Sequence, residues 1–254
     1  MNHPKPLGKV HLVGAGPGAA DLITLRGKRL LESADVVFFD ALVEQQMLDW
    51  CPQAIQVAVG KRCGRHASSQ SFINKRLIDA AKRHQTVVRL KGGDPMLFGR
   101  ADEEIGALSA AGIEVEVVPG VTSALAASAS LGQSLTLRGV ARSVAFCTLS
   151  QADAAESPDL PQADTLAIYM GRRQAAQIAQ SLLVQGRPAH CPVCVIEAVS
   201  TDRERHLTLT LSALAQGKAN DWMSDDAPAL LLIGAVFGRR HQNAQVLADR
   251  RLCA

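Results

Sequence analysis

Five short apolar runs alternate with helix-forming stretches in the first half of the chain, and this alternation allows few folds. The runs are KVHLVGAG, ADVVFFD, AIQVAVG, TVVRL and IEVEVV. Helical periodicity lies between them, and the longest amphipathic helix is predicted from about Ser69 to His84. Near-continuous apolar strands that alternate with helices are typical of a parallel sheet covered on both faces. We therefore predict an α/β domain in which helices cover both faces of a parallel sheet.

The second half follows a different pattern, and the change lies between about Leu131 and Arg142. Its strand-like runs are longer and less often interrupted by helices, and they are SVAFCTL, TLAIYMG, CPVCVIEAVS, ERHLTLTL and APALLLIGAVFG. One helix is predicted from about Gln174 to Gln185. We predict a second α/β domain with a mixed sheet, and we divide the chain into residues 1–134 and 135–254, with the active site in the cleft between the two domains.

Charge and composition exclude several classes of protein. The 27 basic and 24 acidic residues give a net charge of +3, which is too weak to indicate a nucleic-acid partner. The longest apolar run, residues 229–237, is far shorter than the roughly 20 residues of a membrane span, and the first residues lack the apolar core of a secretory signal. The pair Cys191 and Cys194 lies in a strand-like run without further ligands, so buried thiols in a cytoplasmic protein without a metal are expected.

Glycines follow three of the predicted strands of the first domain. Gly14 comes after the first strand, Gly92 and Gly93 after the fourth, and Gly120 after the fifth. Ligands of open α/β sheets bind beyond the carboxyl ends of the strands, and glycine lets the main chain approach a ligand closely. Asp94 adds one acceptor, which suits a ligand with hydroxyl groups or an ammonium and repels a phosphate. We predict a small-molecule site at this edge.

A dinucleotide-binding oxidoreductase is the alternative from a different class. The loop GAGPGA follows the first strand and fits the dinucleotide fingerprint, and Asp40 lies about where a ribose-binding acid is expected. However, the next helix is predicted to begin only at about Thr24. The helix N-terminus that would bind pyrophosphate is then displaced from the glycines. The alternative also leaves the GGDP and PGVTS segments without a role.

Basic side chains cluster at predicted loops near the same edge. Lys61 belongs to the run KRCGRH, Arg100 and Glu103 lie one helical turn apart and off the buried stripe, and Arg138 lies near the predicted domain junction. Guanidinium groups bind carboxylates in a bidentate manner, so a substrate with several carboxylates is the natural match.

An ordered series of motifs resembles the tetrapyrrole methylases, most closely the uroporphyrinogen-III C-methyltransferases among them. The motifs extend from residue 9 to residue 237, and they are VHLVGAGPGAADLITLRG, ADVVFFDALV, VGKRCGRH, VVRLKGGDPMLFGR, EVVPGVTSA, LTLR, YMG and PALLLIGAV. The chain departs from the family pattern at Ala101–Asp102, Ser134, Leu137 and Leu149–Ser150, and most of these departures lie on the substrate side.

This resemblance implies a two-domain α/β fold, a homodimer, and a cleft that holds S-adenosylmethionine, with S-adenosylhomocysteine as the product. The implied cofactor contacts are Pro17, Gly92, Gly93, Asp94, Leu97, Thr122, Ser123, Met170 and Val199. The implied substrate contacts are Arg100, Glu103, Arg138 and Met170. Asp40 and Lys61 occupy the positions of the proton acceptor and donor.

The implied reaction is the transfer of two methyl groups to uroporphyrinogen III, at C2 and C7, to give precorrin-2 for siroheme, cobalamin or haem d1. A methylase of a later corrin precursor and a non-catalytic tetrapyrrole-binding homologue are the alternatives within the family. A base must take up a proton as the methylated ring reorganises. We favour Glu103 over Asp40 as this base, because Arg100 beside it would keep it ionised.

Overall fold

Two units make up the chain. The computed structural model describes residues 6–59, 70–149 and 159–238. Its contacts divide the chain into Met1–Ser123 and Ala124–Ala254, whereas the sequence pattern placed the division after residue 134. The difference arises because residues 124–131 form a helix that contacts the second unit. There, the Ala124 amide donates to the Tyr169 hydroxyl (3.1 Å), and the Ser130 hydroxyl hydrogen-bonds Glu204.

The first unit contains one parallel sheet. Its elements are β1 (Lys9–Gly14), α1 (Leu25–Glu32), β2 (Val36–Phe39), α2 (Gln45–Leu48), β3 (Ile55–Ala58), α3 (Gln70–Ala81), β4 (Thr86–Lys91), α4 (Ala101–Ala110) and β5 (Val115–Val118). The strand order is β3-β2-β4-β1-β5, and all four pairings are parallel. The predicted parallel sheet is therefore confirmed.

Helices cover both faces of this sheet, because alternate strand residues point to opposite sides. On one face, Leu12 and its neighbours pack with Leu77 of α3 and Leu108 of α4. On the other face, Val13 and its neighbours pack with Leu31 of α1 and residues of α2. These two apolar layers hold the strands in register, so the carboxyl ends of β1, β2, β4 and β5 reach the same edge.

The second unit contains a mixed sheet, as predicted. Its elements are α5 (Ser123–Leu131), β6 (Val144–Thr148), β7 (Thr165–Tyr169), α6 (Ala175–Val184), β8 (Pro192–Glu197), β9 (Arg205–Thr210), α7 (Leu211–Ala215) and β10 (Ala229–Ile233). The strand order is β6-β7-β10-β8-β9, where β6 and β7 are parallel and the other pairings are antiparallel. Since β7 and β8 both run antiparallel to β10, their carboxyl ends lie at the same edge.

The described cysteines of the second unit are core residues. Cys191 and Cys194 are both buried and free, and burial raises the pKa of the Cys191 thiol. The prediction of buried thiols is therefore confirmed for this pair. In the described ranges, no group of three or more histidine, cysteine or acidic side chains is placed to hold a metal ion. The same ranges contain no helix that is long and apolar enough to cross a membrane.

Candidate active site

Three glycine-containing loops meet at the carboxyl edge of the first sheet. The loop after β1 joins the loop after β4, since the Ala15 amide donates to the Lys91 carbonyl (2.7 Å). Gly16 and Gly93 then exchange two backbone hydrogen bonds of 3.2 and 2.6 Å. The predicted floor of main chain is therefore present, and we call these loops (residues 14–18, 92–94 and 119–122) the rim loops.

Close approach of backbones explains why the rim loops need glycine. A Cβ added to Gly120 would lie 2.3 Å from the Gly93 carbonyl oxygen, and one added to Gly14 would lie 2.6 Å from the Gly120 Cα. Gly93 has a φ of +68°, a conformation that side chains disfavour, yet a Cβ there would meet nothing within 4 Å. The rim loops thus press against each other while Gly93 faces open space.

Asp94 ties two of the rim loops together. Its Oδ2 accepts a hydrogen bond from the Gly120 amide (2.9 Å), and its Oδ1 accepts one from the Met96 amide (2.8 Å). The sequence argument assigned this carboxylate to a ligand, whereas the structure shows an additional role in holding the loop after β5. Its contact with the cofactor stays a prediction.

The remaining predicted cofactor residues of the first unit surround this floor. Thr122 is buried, while Pro17, Leu97 and Ser123 are half-buried. Pro17 belongs to the loop after β1, Leu97 follows Asp94, and Thr122 and Ser123 follow Gly120. Hence the rim loops and the residues directly after them carry all seven cofactor contacts predicted for this unit. The assignments themselves stay predictions.

The first helix after the β1 loop begins late, as predicted. Thr24 is the N-cap of α1, and its hydroxyl accepts a hydrogen bond from the Gly27 amide (3.1 Å). A short 3₁₀ turn at Ala20–Leu22 separates this helix from the glycines. A pyrophosphate at Gly16 would therefore lack the helix N-terminus that dinucleotide folds provide.

Arg100 and Glu103 form an exposed ion pair. Arg100 Nε lies 2.7 Å from Glu103 Oε1, and its Nη2 lies 2.8 Å from Oε2. The hydrogen bonds from Arg100 lower the pKa of the Glu103 carboxyl, which is the direction expected from their spacing. Arg100 adopts a left-handed backbone (φ 57°) as the N-cap of α4, and Phe98 two residues earlier does the same (φ 54°). Such strained positions recur at functional sites.

A chain of four charged side chains runs from the sheet's edge into the interior. We call Asp40, Arg89, Lys91 and Glu104 the rim charge cluster. Arg89 Nη2 lies 2.6 Å from Asp40 Oδ1, and its Nε lies 3.1 Å from Glu104 Oε1. Lys91 Nζ lies 2.9 Å from Glu104 Oε2. Three of the four are buried, and only the Asp40 side chain is 30% exposed.

Burial affects the ionisation of Lys91 in the rim charge cluster. Desolvation lowers the pKa of the Lys91 ammonium, and the neighbouring Arg89 guanidinium lowers it further, while Glu104 acts in the opposite direction. Glu104 also accepts a hydrogen bond from the Gln70 amide (3.1 Å), which brings α3 to the cluster. A buried charge is tolerated only when it is paired and hydrogen-bonded, and Glu104 meets both conditions.

The sequence analysis did not identify Arg89, Lys91 or Glu104. A signal was present, since Glu104 lies three residues after Ala101 and four before Leu108, on the stripe that packs against the sheet. A carboxylate on the buried stripe of α4, with two cations on a strand that reads as buried, predicts an internal ion cluster.

The predicted contacts of the second unit lie on two left-handed turns. Met170 directly follows β7, has a φ of 54° and is 53% exposed. Val199 follows β8 and lies between Ala198 (φ 49°) and Ser200 (φ 59°). Both turns are at the same edge of the mixed sheet, and the Ala198 amide donates to the Pro228 carbonyl (3.0 Å). The two strained turns mark this edge as a candidate ligand-binding edge of the second unit.

A buried carboxylate supports the turn after β8. Glu197 Oε1 accepts a hydrogen bond from the Ser224 amide (2.6 Å), and its Oε2 accepts one from Arg205 Nε (2.8 Å). The Arg205 guanidinium also lies over the Trp222 ring, 4.4 Å from its centre. Glu197 therefore joins β8, β9 and the segment before β10 directly beside the turn that carries Val199.

Arg138 and Lys61 complete the set of predicted site residues. Arg138 is exposed on the turn that Leu137 and Ala141 close through a backbone hydrogen bond of 2.9 Å, and its substrate contact stays a prediction. Lys61, with the rest of its basic run, lies outside the described residues.

Comparisons with known proteins agree on one family. Residues 9–215 match the family model of the tetrapyrrole (corrin/porphyrin) methylases. Siroheme synthase 1 of Cronobacter sakazakii is 45% identical over 246 residues, which are 94% of this chain and 51% of that protein. Siroheme synthase of Stutzerimonas stutzeri is 43% identical over 248 residues, or 95% of this chain and 52% of that protein. The chain thus spans about half the length of the curated relatives it matches.

Solved structures indicate the same family. The uroporphyrin-III C-methyl transferase from Thermus thermophilus, complexed with S-adenyl homocysteine, has a TM-score of 0.77 and 40% identity, and the match covers 90% of this chain and 98% of that one. A cobalamin biosynthetic enzyme, cobalt precorrin-4 methyltransferase, has a TM-score of 0.78 and 26% identity, with coverages of 90% and 95%.

Proposed function

The chain belongs to the tetrapyrrole (corrin/porphyrin) methylase family, and from this premise we propose that it is an S-adenosylmethionine-dependent C-methyltransferase acting on uroporphyrinogen III. The observation that carries the proposal is the floor of rim loops, together with 40% identity to a uroporphyrin-III C-methyl transferase over nearly its full length. Two transfers, at C2 and C7, give precorrin-2. The relatives that this chain matches over about half of their length are named siroheme synthases, which favours siroheme as the end product over cobalamin and haem d1.

The rim loops fit a sulfonium nucleoside better than a dinucleotide. Open space next to Gly93 admits a ligand directly against the main chain. Asp94 and the hydroxyls of Thr122 and Ser123 are polar groups that suit ribose hydroxyls and an ammonium. When bound, S-adenosylmethionine supplies a methyl group already activated by the positively charged sulfur. The rim loops then need only to hold the nucleoside so that the pyrrole carbon approaches in line with the methyl group.

Arginines are proposed to anchor the acid side chains of the macrocycle. Arg100 is exposed on a strained N-cap, and Arg138 is exposed on a tight turn. Guanidinium groups bind carboxylates through two parallel hydrogen bonds, which fixes orientation as well as position. The apolar Met170 side chain, half-exposed beside β7, suits the ring face of the substrate.

Two carboxylates are candidates for taking the proton that the methylated ring releases. The Arg100 contact that keeps Glu103 ionised also lowers its pKa, and this weakens it as a base at neutral pH. Both Glu103 oxygens are also engaged by Arg100. Among the described residues, Arg89 engages Asp40 through Oδ1 alone, and Asp40 lies at the carboxyl end of β2, so we place Asp40 first as the acceptor and Glu103 second. Lys61 stays the proposed donor.

A methylation assay tests the function. The protein is incubated with uroporphyrinogen III and methyl-labelled S-adenosylmethionine, and transfer of two labelled methyl groups per macrocycle is expected. No transfer to uroporphyrinogen III, but transfer to a later corrin precursor, would instead support the second candidate. The departures at Ser134 and Leu137 and the likeness to a cobalt precorrin-4 methyltransferase favour that candidate.

Two variants separate the proposed proton acceptors. In single-turnover reactions, D40N is expected to abolish methyl transfer while S-adenosylhomocysteine still binds. E103Q is expected to retain transfer with weaker substrate binding, because Arg100 loses the partner that orients it. The reverse pattern, with an inactive E103Q and an active D40N, would return the role to Glu103.

Two further properties are proposed. We infer a cytoplasmic homodimer, because the four described cysteines are free thiols, as a reducing compartment would keep them, and because the family resemblance implies a dimer. Light scattering of the purified protein should give twice the mass of 27.0 kDa. Titration calorimetry should show binding of S-adenosylhomocysteine and none of a nicotinamide dinucleotide.

A further inference from the structure

One side chain of the rim charge cluster is partly exposed at the edge of the sheet, and the other three are buried. Glu104 is fully buried, and Arg89 and Lys91 are each 3% exposed. Asp40 alone is partly exposed. Burying charged groups is costly, and buried ion pairs often contribute no more stability than apolar side chains of the same volume. Stability therefore gives an incomplete reason for the cluster.

We infer that Glu104 is a positioning residue that acts through Arg89 to fix the Asp40 carboxylate at the edge of the sheet. The inference rests on the proposed function, in which Asp40 accepts the proton. Glu104 itself lies behind Arg89, so it is not expected to contact the substrate.

The hydrogen bonds of Arg89 explain how this positioning works. A guanidinium is a rigid, planar fork, so fixing two of its nitrogens fixes the third. Glu104 Oε1 holds Nε at 3.1 Å, and the Leu90 carbonyl holds Nη1 at 3.1 Å. The third nitrogen, Nη2, then points at Asp40 Oδ1, 2.6 Å away. Without Glu104, only one of these two anchors would remain.

Lys91 gives the means to separate positioning from stability. The four members carry two positive and two negative formal charges. E104L leaves two cations and one carboxylate, which is a costly arrangement in the interior. The double variant E104L/K91M removes one charge of each sign and restores the balance. It lacks any acceptor that could hold Arg89 Nε, whereas a glutamine oxygen would still accept that hydrogen bond.

The experiment compares E104L, E104L/K91M and R89K with the wild type, and D102N is the control on the exposed side of α4. E104L should lose both thermal stability and kcat. E104L/K91M should recover the melting temperature, but its kcat should stay about 100-fold low, as expected when a reacting group is displaced by about 1 Å. The KM for S-adenosylmethionine should be unchanged in the double variant, and D102N should behave as wild type.

R89K covers the case in which the glutamate variants do not fold. It keeps the charge of the cluster, but a lysine ammonium cannot bridge two carboxylates with the fixed geometry of the fork. Its kcat should therefore fall while its melting temperature stays near that of the wild type. Full kcat in R89K or in E104L/K91M would show that Glu104 has only a structural role and would overturn the inference.

A crystal structure of E104L/K91M separates this inference from the proposed function. We expect the contact between Arg89 and Asp40 to lengthen beyond hydrogen-bonding distance, and a contact kept at its present 2.6 Å would overturn the inference. This result does not depend on the substrate. If wild-type protein fails to methylate uroporphyrinogen III, the proposed function fails, while the crystal structure still decides whether Glu104 orients Arg89.

Discussion

Replacing Gly120 with alanine should disrupt the rim loops as a unit. The added Cβ would lie 2.3 Å from the Gly93 carbonyl oxygen and 2.8 Å from the Gly14 Cα. An ordinary contact between non-bonded heavy atoms is about 3.5 Å, so the neighbouring backbones must separate by about 1 Å. Both neighbours are main chain, and neither can rotate away as a side chain could.

The size of the effect follows from the hydrogen bonds that such a separation breaks. This separation would break three hydrogen bonds, namely the two between Gly16 and Gly93 (3.2 and 2.6 Å) and the one from the Gly120 amide to Asp94 (2.9 Å). Each is worth about 1 kcal/mol net, so we expect the free energy of unfolding to fall by about 3 kcal/mol. For a chain of this size, the melting temperature should fall by roughly 6–12 °C.

Gly92 provides the matched control for this measurement. A Cβ on Gly92 would lie 3.5 Å from the Leu42 Cβ, which is an ordinary contact, so G92A should unfold at the wild-type temperature. Calorimetry with S-adenosylhomocysteine should nevertheless show weaker binding by G92A, because the methyl group occupies space proposed for the nucleoside. G120A should lose both stability and affinity. Wild-type stability and affinity in G120A would refute the reasoning about the rim loops.

Three other properties can be checked by denaturation. Burial lowers the pKa of His11, so the unfolded chain binds a proton more readily than the folded chain does. The free energy of unfolding should therefore fall as the pH drops below about 6.5. H11Q should lose part of that pH dependence in urea titrations at pH 7.5 and 5.5. E197Q should lower the free energy of unfolding by about 2 kcal/mol, since Arg205 loses a charged partner; an unchanged urea midpoint would contradict this. D94N should cost a similar amount, because an amide cannot accept from both the Gly120 and Met96 amides, and a wild-type midpoint would show that these two bonds contribute little.

Local patterns were sufficient to predict the strands and the main features of the carboxyl edge of the first sheet. The apolar runs form the parallel sheet, α1 begins directly after Thr24 and so close to its predicted start, and Arg100 pairs with Glu103 as their spacing predicted. These features depend on residues close in the chain, or on the rule that parallel strands end at one edge. Conversely, α5 was not predicted, because SALAASASL is rich in small residues and lacks an amphipathic stripe.

Features that depend on distant segments do not follow from local patterns. The sequence pattern divides the chain after residue 134, whereas the contacts of the structure divide it after Ser123, since which unit α5 contacts is a tertiary property. Asp94 was assigned to a ligand alone, because the Gly120 amide that it accepts from is 26 residues away. Glu104 was not predicted as a site residue, although its spacing from Ala101 and Leu108 places it on the buried stripe of α4.

The amino-acid order alone determined the alternation of strands and helices, the glycines at the strand ends and the membership of a methylase family, because each is written in short stretches of chain. Tertiary structure alone decided which charges meet. Asp40, Arg89 and Glu104 come from β2's end, β4 and α4, and their distances depend on how the helices pack against the sheet. Pairing buried charges is a requirement of the folded interior, where water cannot solvate them, and periodicity along the chain does not specify the partner.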